Sequence, residues 1–176
     1  MKSNPSPADP AGTKTPHIAV LSGAPLFGGV EGRVLARLLG YCHFIHREPG
    51  EYFYREGEKG ESMYLLEKGL AIILKRWGEK DLELRRLEAG DCFGEVALVD
   101  FGPRSVSVRA VEPCDAVEVP VAALHRLYEI DPEQYTLVQM NIARELSRQL
   151  READERLLRY VAGCKPGNDP EGPCVG

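Results

Sequence analysis

The chain has 176 residues, 43% of them hydrophobic and 28% charged, with a formal net charge of -5. That length suits one domain with a sizeable core, and the acidic balance excludes a broad nucleic-acid surface, because phosphate backbones recruit basic stripes. No apolar run approaches the roughly 20 residues of a membrane span or forms a signal core, so a cytoplasmic protein is expected.

Residues 1–24 hold prolines at 5, 7, 10 and 16, few large apolar side chains and no periodicity. They are expected to form a disordered arm, since they bury too little to offset their ordering entropy. Leu26 and Phe27 follow, placed to cap the open end of a sheet. Over residues 31–39, Val34, Leu35, Leu38 and Leu39 then fall at helical spacing. From 41 to 119, short β-rich runs alternate with glycine, proline and charged punctuation, the pattern of a sandwich or barrel. The expected strands are 42–47, 51–55, 62–67, 71–76, 82–87, 104–111 and 115–119. Residues 121–129 read as a short helix, after which Asp131 and Pro132 supply the N-cap and first position of a long one.

Along that long helix Ile142, Leu146, Leu150, Ala153, Leu157 and Val161 recur at steps of three or four, forming one seam, while Arg144, Arg148, Arg151 and Arg156 lie on other faces. A helix over 131–162 is roughly 45 Å long, more than one small barrel covers. A homodimer through this helix is therefore expected; the alternative is a lid folded back on its own domain. Residues 163–176 read as a disordered Gly/Pro tail, which leaves 25–130 as the folded body.

Five cysteines, Cys42, Cys92, Cys114, Cys164 and Cys174, stand at irregular spacings with no Cys-x-x-Cys pair, and read as reduced thiols. An enzymatic jelly roll of the metal-binding kind needs histidines two apart on one strand face. His43 and His46 are three apart, His17 lies in the arm and His125 is alone on a helix. No nucleophile, base and oxyanion-donor grouping appears either. Neither catalysis nor a metal is expected.

The chemistry concentrates between Phe93 and Val108. If 104–111 is a strand, period two puts Arg104 on the same face as Val106, Val108 and Ala110. A guanidinium aimed at an apolar face calls for an anion, either a carboxylate of the chain or one that arrives as a ligand. Upstream, Phe93-Gly94-Glu95 leads into one apolar turn, Val96 to Val99, whose free N–H groups attract phosphate. Gly94 allows close approach, and Glu95 supplies an acceptor suited to hydroxyls. On the residues alone, Arg104 either pairs internally with Glu95 or Asp100 or meets a ligand carrying a phosphate and a sugar.

This run resembles the phosphate-binding cassette of the cyclic nucleotide-binding domain family: Phe-Gly-Glu, a small apolar turn, then Pro-Arg and small residues. The likeness extends through the glycine-punctuated stretch 54–69 and covers roughly 25–160. It implies a β jelly roll with a short N-terminal helix, a one-turn cassette helix and a long C-terminal helix, acting as a non-enzymatic sensor. It further implies that Phe93, Gly94, Glu95, Val96, Ala97, Arg104, Ser105 and Gln149 bind a 3′,5′-cyclic nucleotide. In that assignment Glu95 takes the ribose hydroxyl, Gly94 and Ala97 present amides, and Arg104, aided by Ser105, holds the phosphate. Gln149 and Leu150 fall where activator members of the family contact the base. Cyclic AMP is favoured over cyclic GMP, though Ser105 is compatible with either. The long helix resembles the dimer seam of the activators, but no winged helix follows it here, so the expected output runs through an unidentified downstream protein or the dimer itself, with no nucleic-acid-binding domain. The competing expectation is a non-binding jelly-roll dimer that serves as an interaction module, its Arg104 neutralised internally.

Overall fold

The computed structural model of the protein describes residues 14–163. Helix α1 (Lys14–Gly23), a 3-10 turn at Pro25–Phe27, α2 (Gly32–Leu38) and a second 3-10 turn at Leu39–Tyr41 precede the strands. These are β1 (His43–Arg47), β2 (Tyr52–Tyr54), β3 (Ser62–Lys68), β4 (Ala71–Trp77), β5 (Lys80–Leu87) and β6 (Cys92–Phe93). Helix α3 (Val96–Val99) follows, then β7 (Ser107–Ala110), β8 (Cys114–Pro120), α4 (Val121–Ile130) and α5 (Pro132–Gly163).

Two four-stranded antiparallel sheets, ordered β1-β8-β3-β6 and β2-β7-β4-β5, face each other as a jelly roll. In the first, β3 is covered on both sides and is buried at five successive positions from Ser62 to Leu66. Alternation sorts them: Met63 and Leu65 join Val117 and Val119 in a core shared with the helices. Tyr64 and Leu66 join Ala116, Val108 and Phe93 between the sheets. A strand with two buried faces reads as a continuous apolar run. By contrast β5 lies at a sheet edge and is exposed over most of its length.

The expected elements are present, with three differences. The expected arm ends earlier than residue 24, because Lys14–Gly23 forms α1: Leu21 is fully buried in the helical core, and His17 hydrogen-bonds the Glu67 carboxylate at 2.7 Å. Both anchors are tertiary, which periodicity cannot show. Strand β6 was not expected; two residues are too few to alternate. And β7 starts at Ser107 rather than 104, since the chain bends at Ser105 and Val106 after Pro103 bridges Lys59. The rest of the arm and the tail from 164 lie outside the described residues.

Asp131 caps α5 as expected, its carboxylate accepting from the Gln134 N–H at 3.1 Å. Leu26 and Phe27 are fully buried, and Asn141 of α5 donates to the carbonyls of Leu26 and Gly28. Helix α5 is thereby fixed against the N-terminal turn. No described helix is long and apolar enough to cross a membrane.

Candidate functional site

All eight residues singled out from the sequence line one cavity of about 170 Å³. Strand β6 delivers Phe93, α3 delivers Val96 and Ala97, the segment before β7 delivers Arg104 and Ser105, and α5 delivers Gln149. The loop 55–60 positions Arg104 through its backbone: the Arg104 N–H donates to the Glu58 carbonyl at 2.8 Å, and the Gly57 N–H donates to the Arg104 carbonyl at 2.9 Å.

Arg104 is only 4% exposed. Its Nη1 donates to the Gly94 carbonyl at 2.7 Å and its Nη2 to the Ser62 carbonyl at 2.6 Å, while its Cζ lies 4.1 Å from the centre of the Tyr54 ring. Nε is buried without a hydrogen-bond partner. Among the described residues no carboxylate forms a salt bridge with it. The internal pairing weighed from the sequence is thus corrected. Asp100 accepts instead from the Gly102 N–H at 2.9 Å, closing its own turn, and Glu95 accepts from Gln149. Carbonyl dipoles and an aromatic face hold this guanidinium, but its full charge has no counter-charge.

Gly94 is required beside it. Its φ is +82°, and a Cβ there would stand 2.7 Å from Arg104 Nη1. Gly60 meets a similar limit against the cassette, where an added Cβ would come within 2.2 Å of Ala97 Cβ. The one-turn helix is therefore seated directly on the loop that positions Arg104. Its first N–H groups lack intrahelical acceptors, and Val96 and Ala97 of that turn line the same cavity.

Glu95 is 2% exposed, and burial raises its carboxyl above the ordinary carboxylate value, opposed by its own backbone N–H and by the Gln149 amide. Gln149 Nε2 donates to Glu95 Oε1 at 2.9 Å and to Glu145 Oε1 at 3.0 Å. Glu145 behaves oppositely: hydrogen bonds from Arg148 hold its carboxyl below the usual value. One amide thus ties the cassette to α5 across two carboxyl groups.

The sequence reading missed Tyr54, Ile73, Arg85, Cys92 and Val106, which complete the lining. A signal existed for Arg85, since it shares strand parity with the fully buried Leu87. Among the described residues no group of three or more His, Cys, Asp or Glu side chains is arranged to hold a metal ion.

The family model described as "Cyclic nucleotide-binding domain" matches residues 44–131. The cAMP-activated global transcriptional regulator CRP of Pasteurella multocida is 31% identical over 128 residues, which is 71% of this chain and 61% of that protein. The chain spans about three fifths of the length of such curated relatives. Among solved structures, the Thermus thermophilus catabolite activator protein superposes with a TM-score of 0.68 at 30% identity, covering 78% of this chain and 63% of that one. The regulatory domain of Toxoplasma gondii PKA, crystallised with cAMP, superposes at 0.65 with 25% identity over 81% of this chain and 52% of its own.

Proposed function

Because the chain belongs to the cyclic nucleotide-binding domain family, we propose that its cavity takes a 3′,5′-cyclic nucleotide and that the protein is a non-enzymatic sensor of it. The observation that carries this reading is the Arg104 guanidinium, buried at the cavity wall with an unpaired Nε and no counter-carboxylate. A cyclic phosphate supplies the missing charge through charge-assisted hydrogen bonds. The amides opening α3 add donors, and Glu95 accepts from the ribose hydroxyl.

Relay follows from Gln149. The ribose hydroxyl competes with the Gln149 amide for the Glu95 carboxylate, so ligand entry loosens the amide tether between cassette and α5. Helix α5 then re-seats, and its exposed distal apolar residues, Leu150, Leu157 and Val161, pass the change to a second copy of the chain or a downstream protein.

Thermal melting tests the reading. A ligand at 100 times its Kd stabilises the native state by about 2.7 kcal/mol, a rise in Tm of roughly 5 to 10 °C for a domain of this size. The wild type should show that shift with a cyclic nucleotide and none with linear AMP, and Arg104→Ala should lose it. No shift in the wild type with any cyclic nucleotide would overturn the reading.

A further inference from the structure

We propose that the outer face of the β2-β7-β4-β5 sheet is a docking surface for an acidic segment of a partner protein, held by Arg55 and Arg109 around Tyr52. Strand pairing builds this face. Tyr52 of β2 stands opposite Arg109 of β7, Arg109 opposite Ile72 of β4, and Ile72 opposite Arg86 of β5, one row across all four strands. Directly opposed residues share a face. It is the outer face, because Val108 and Ala110, on either side of Arg109 in the strand, belong to the core between the sheets. Ile72 is only 5% exposed yet belongs to neither core, so the long side chains of its own row are what cover it.

The positive charge of this face is left over. Arg55 Cζ lies 3.6 Å and Arg109 Cζ 5.9 Å from the centre of the Tyr52 ring. Neither side chain forms a salt bridge or a hydrogen bond among the described residues, and the nearby carboxylates are taken: Glu56 by Lys75 at 2.6 Å and Glu83 by Arg86 at 2.9 Å. Arg47 and Arg76 donate to the carbonyls of Tyr52 and Gly78, which accept hydrogen bonds and carry no counter-charge. Two guanidinium groups drawn to one ring repel each other until an anion joins them.

A chain of net charge -5 therefore gathers unneutralised positive charge on one sheet face. Its overall charge repels a nucleic acid or an anionic membrane at long range, whereas a short acidic segment needs only local complementarity. Carboxylates match the planar donor fork of arginine, and tyrosine and arginine are the side chains enriched where protein interfaces concentrate their binding energy. The face also adjoins the cavity. Arg55 opens the loop whose Gly57 N–H and Glu58 carbonyl hold the Arg104 backbone, so a partner docked here sits one loop away from the site, although docking does not depend on what the cavity holds.

Fluorescence anisotropy of a labelled deca-glutamate peptide, titrated with the full chain at low ionic strength, tests the proposal. The wild type should bind it. The double change Arg55→Gln and Arg109→Gln should weaken binding about tenfold or more, because two charge-assisted contacts are lost. Arg55→Lys with Arg109→Lys keeps the charge and the apolar cover over Ile72, and should still bind more weakly than the wild type because the planar fork is gone. Arg37→Gln with Arg151→Gln, the same loss of charge at two exposed arginines elsewhere, should bind as the wild type does. The proposal is overturned if the wild type does not bind the peptide, if either Arg55 and Arg109 double variant binds as tightly as the wild type, or if the Arg37 and Arg151 control loses as much. A DNA duplex or a phosphatidylserine vesicle that binds through the same two arginines more tightly than the peptide would overturn it as well, since this face would then serve a different polyanion.

Discussion

The two halves of α5 have the same apolar spacing and opposite surroundings. In the first half Val138 and Ile142 are almost wholly buried, and Asn141 is hydrogen-bonded to the N-terminal turn. In the second half Leu150, Leu157 and Leu158 are 61 to 67% exposed, and beyond the Gln149–Glu95 contact at its start the hydrogen bond tying it to the rest of its own domain, among the described residues, is Arg156 Nη1 to the Leu84 carbonyl at 3.2 Å. The difference lies under the helix. Thirty-two residues make a rod of about 48 Å, and α4 and the 3-10 turn at Pro25–Phe27 underlie only its beginning. Periodicity says which face of a helix is apolar; it does not say what covers that face.

Mutations at matched positions can break this contrast. The largest effect is expected from Ile142→Ala, which opens a cavity in the covered half and should cost about 2 to 5 kcal/mol in urea unfolding. The matched Leu157→Ala, studied where the chain is monomeric, should cost about 0.5 kcal/mol or less. Equal losses would mean that the distal half is covered within the monomer. Next comes assembly: the double change Leu150→Glu and Leu157→Glu should turn a dimer into monomers in sedimentation while leaving the monomer's melt intact. Leu146 is unsuited to that test, because it packs on the helical core.

The smallest effect concerns the junction of the two halves, where Glu95 and Glu145 share Gln149. Burial raises Glu95, so folding favours its neutral form, and its contribution falls as pH rises through the ordinary carboxylate range toward the raised value. Arg148 lowers Glu145, so its contribution is present above the ordinary range and lost as pH falls through the lowered value. Comparing urea midpoints at about pH 4 and pH 7, Glu95→Gln should remove the loss on rising pH and leave the loss on acidification. An unchanged profile would show that Glu95 is not the group responsible.

Much of the fold was legible because β3 buries a continuous apolar run and α5 carries a long, regular one, and Arg104 stood out as a charge among apolar neighbours of one parity. Arg85 sent the same signal through Leu87 but sits in a strand otherwise rich in exposed charge, where one more arginine looks ordinary. Helix α1 was illegible for a different reason: His17 finds Glu67 fifty residues away, and no local pattern encodes such a partner. Nor could spacing reveal that Glu95 and Asp100 would turn from Arg104 to Gln149 and Gly102.

Cys92 gives the cavity wall a chemical clock. Burial of β6 against the helical core pushes its thiol far above the ordinary range, and the thiolate is the form that alkylating reagents attack. A closed wall therefore protects it, and labelling proceeds through the moments when the wall parts. Followed by mass spectrometry at that one peptide, the alkylation rate counts openings of the native chain with no probe engineered into it.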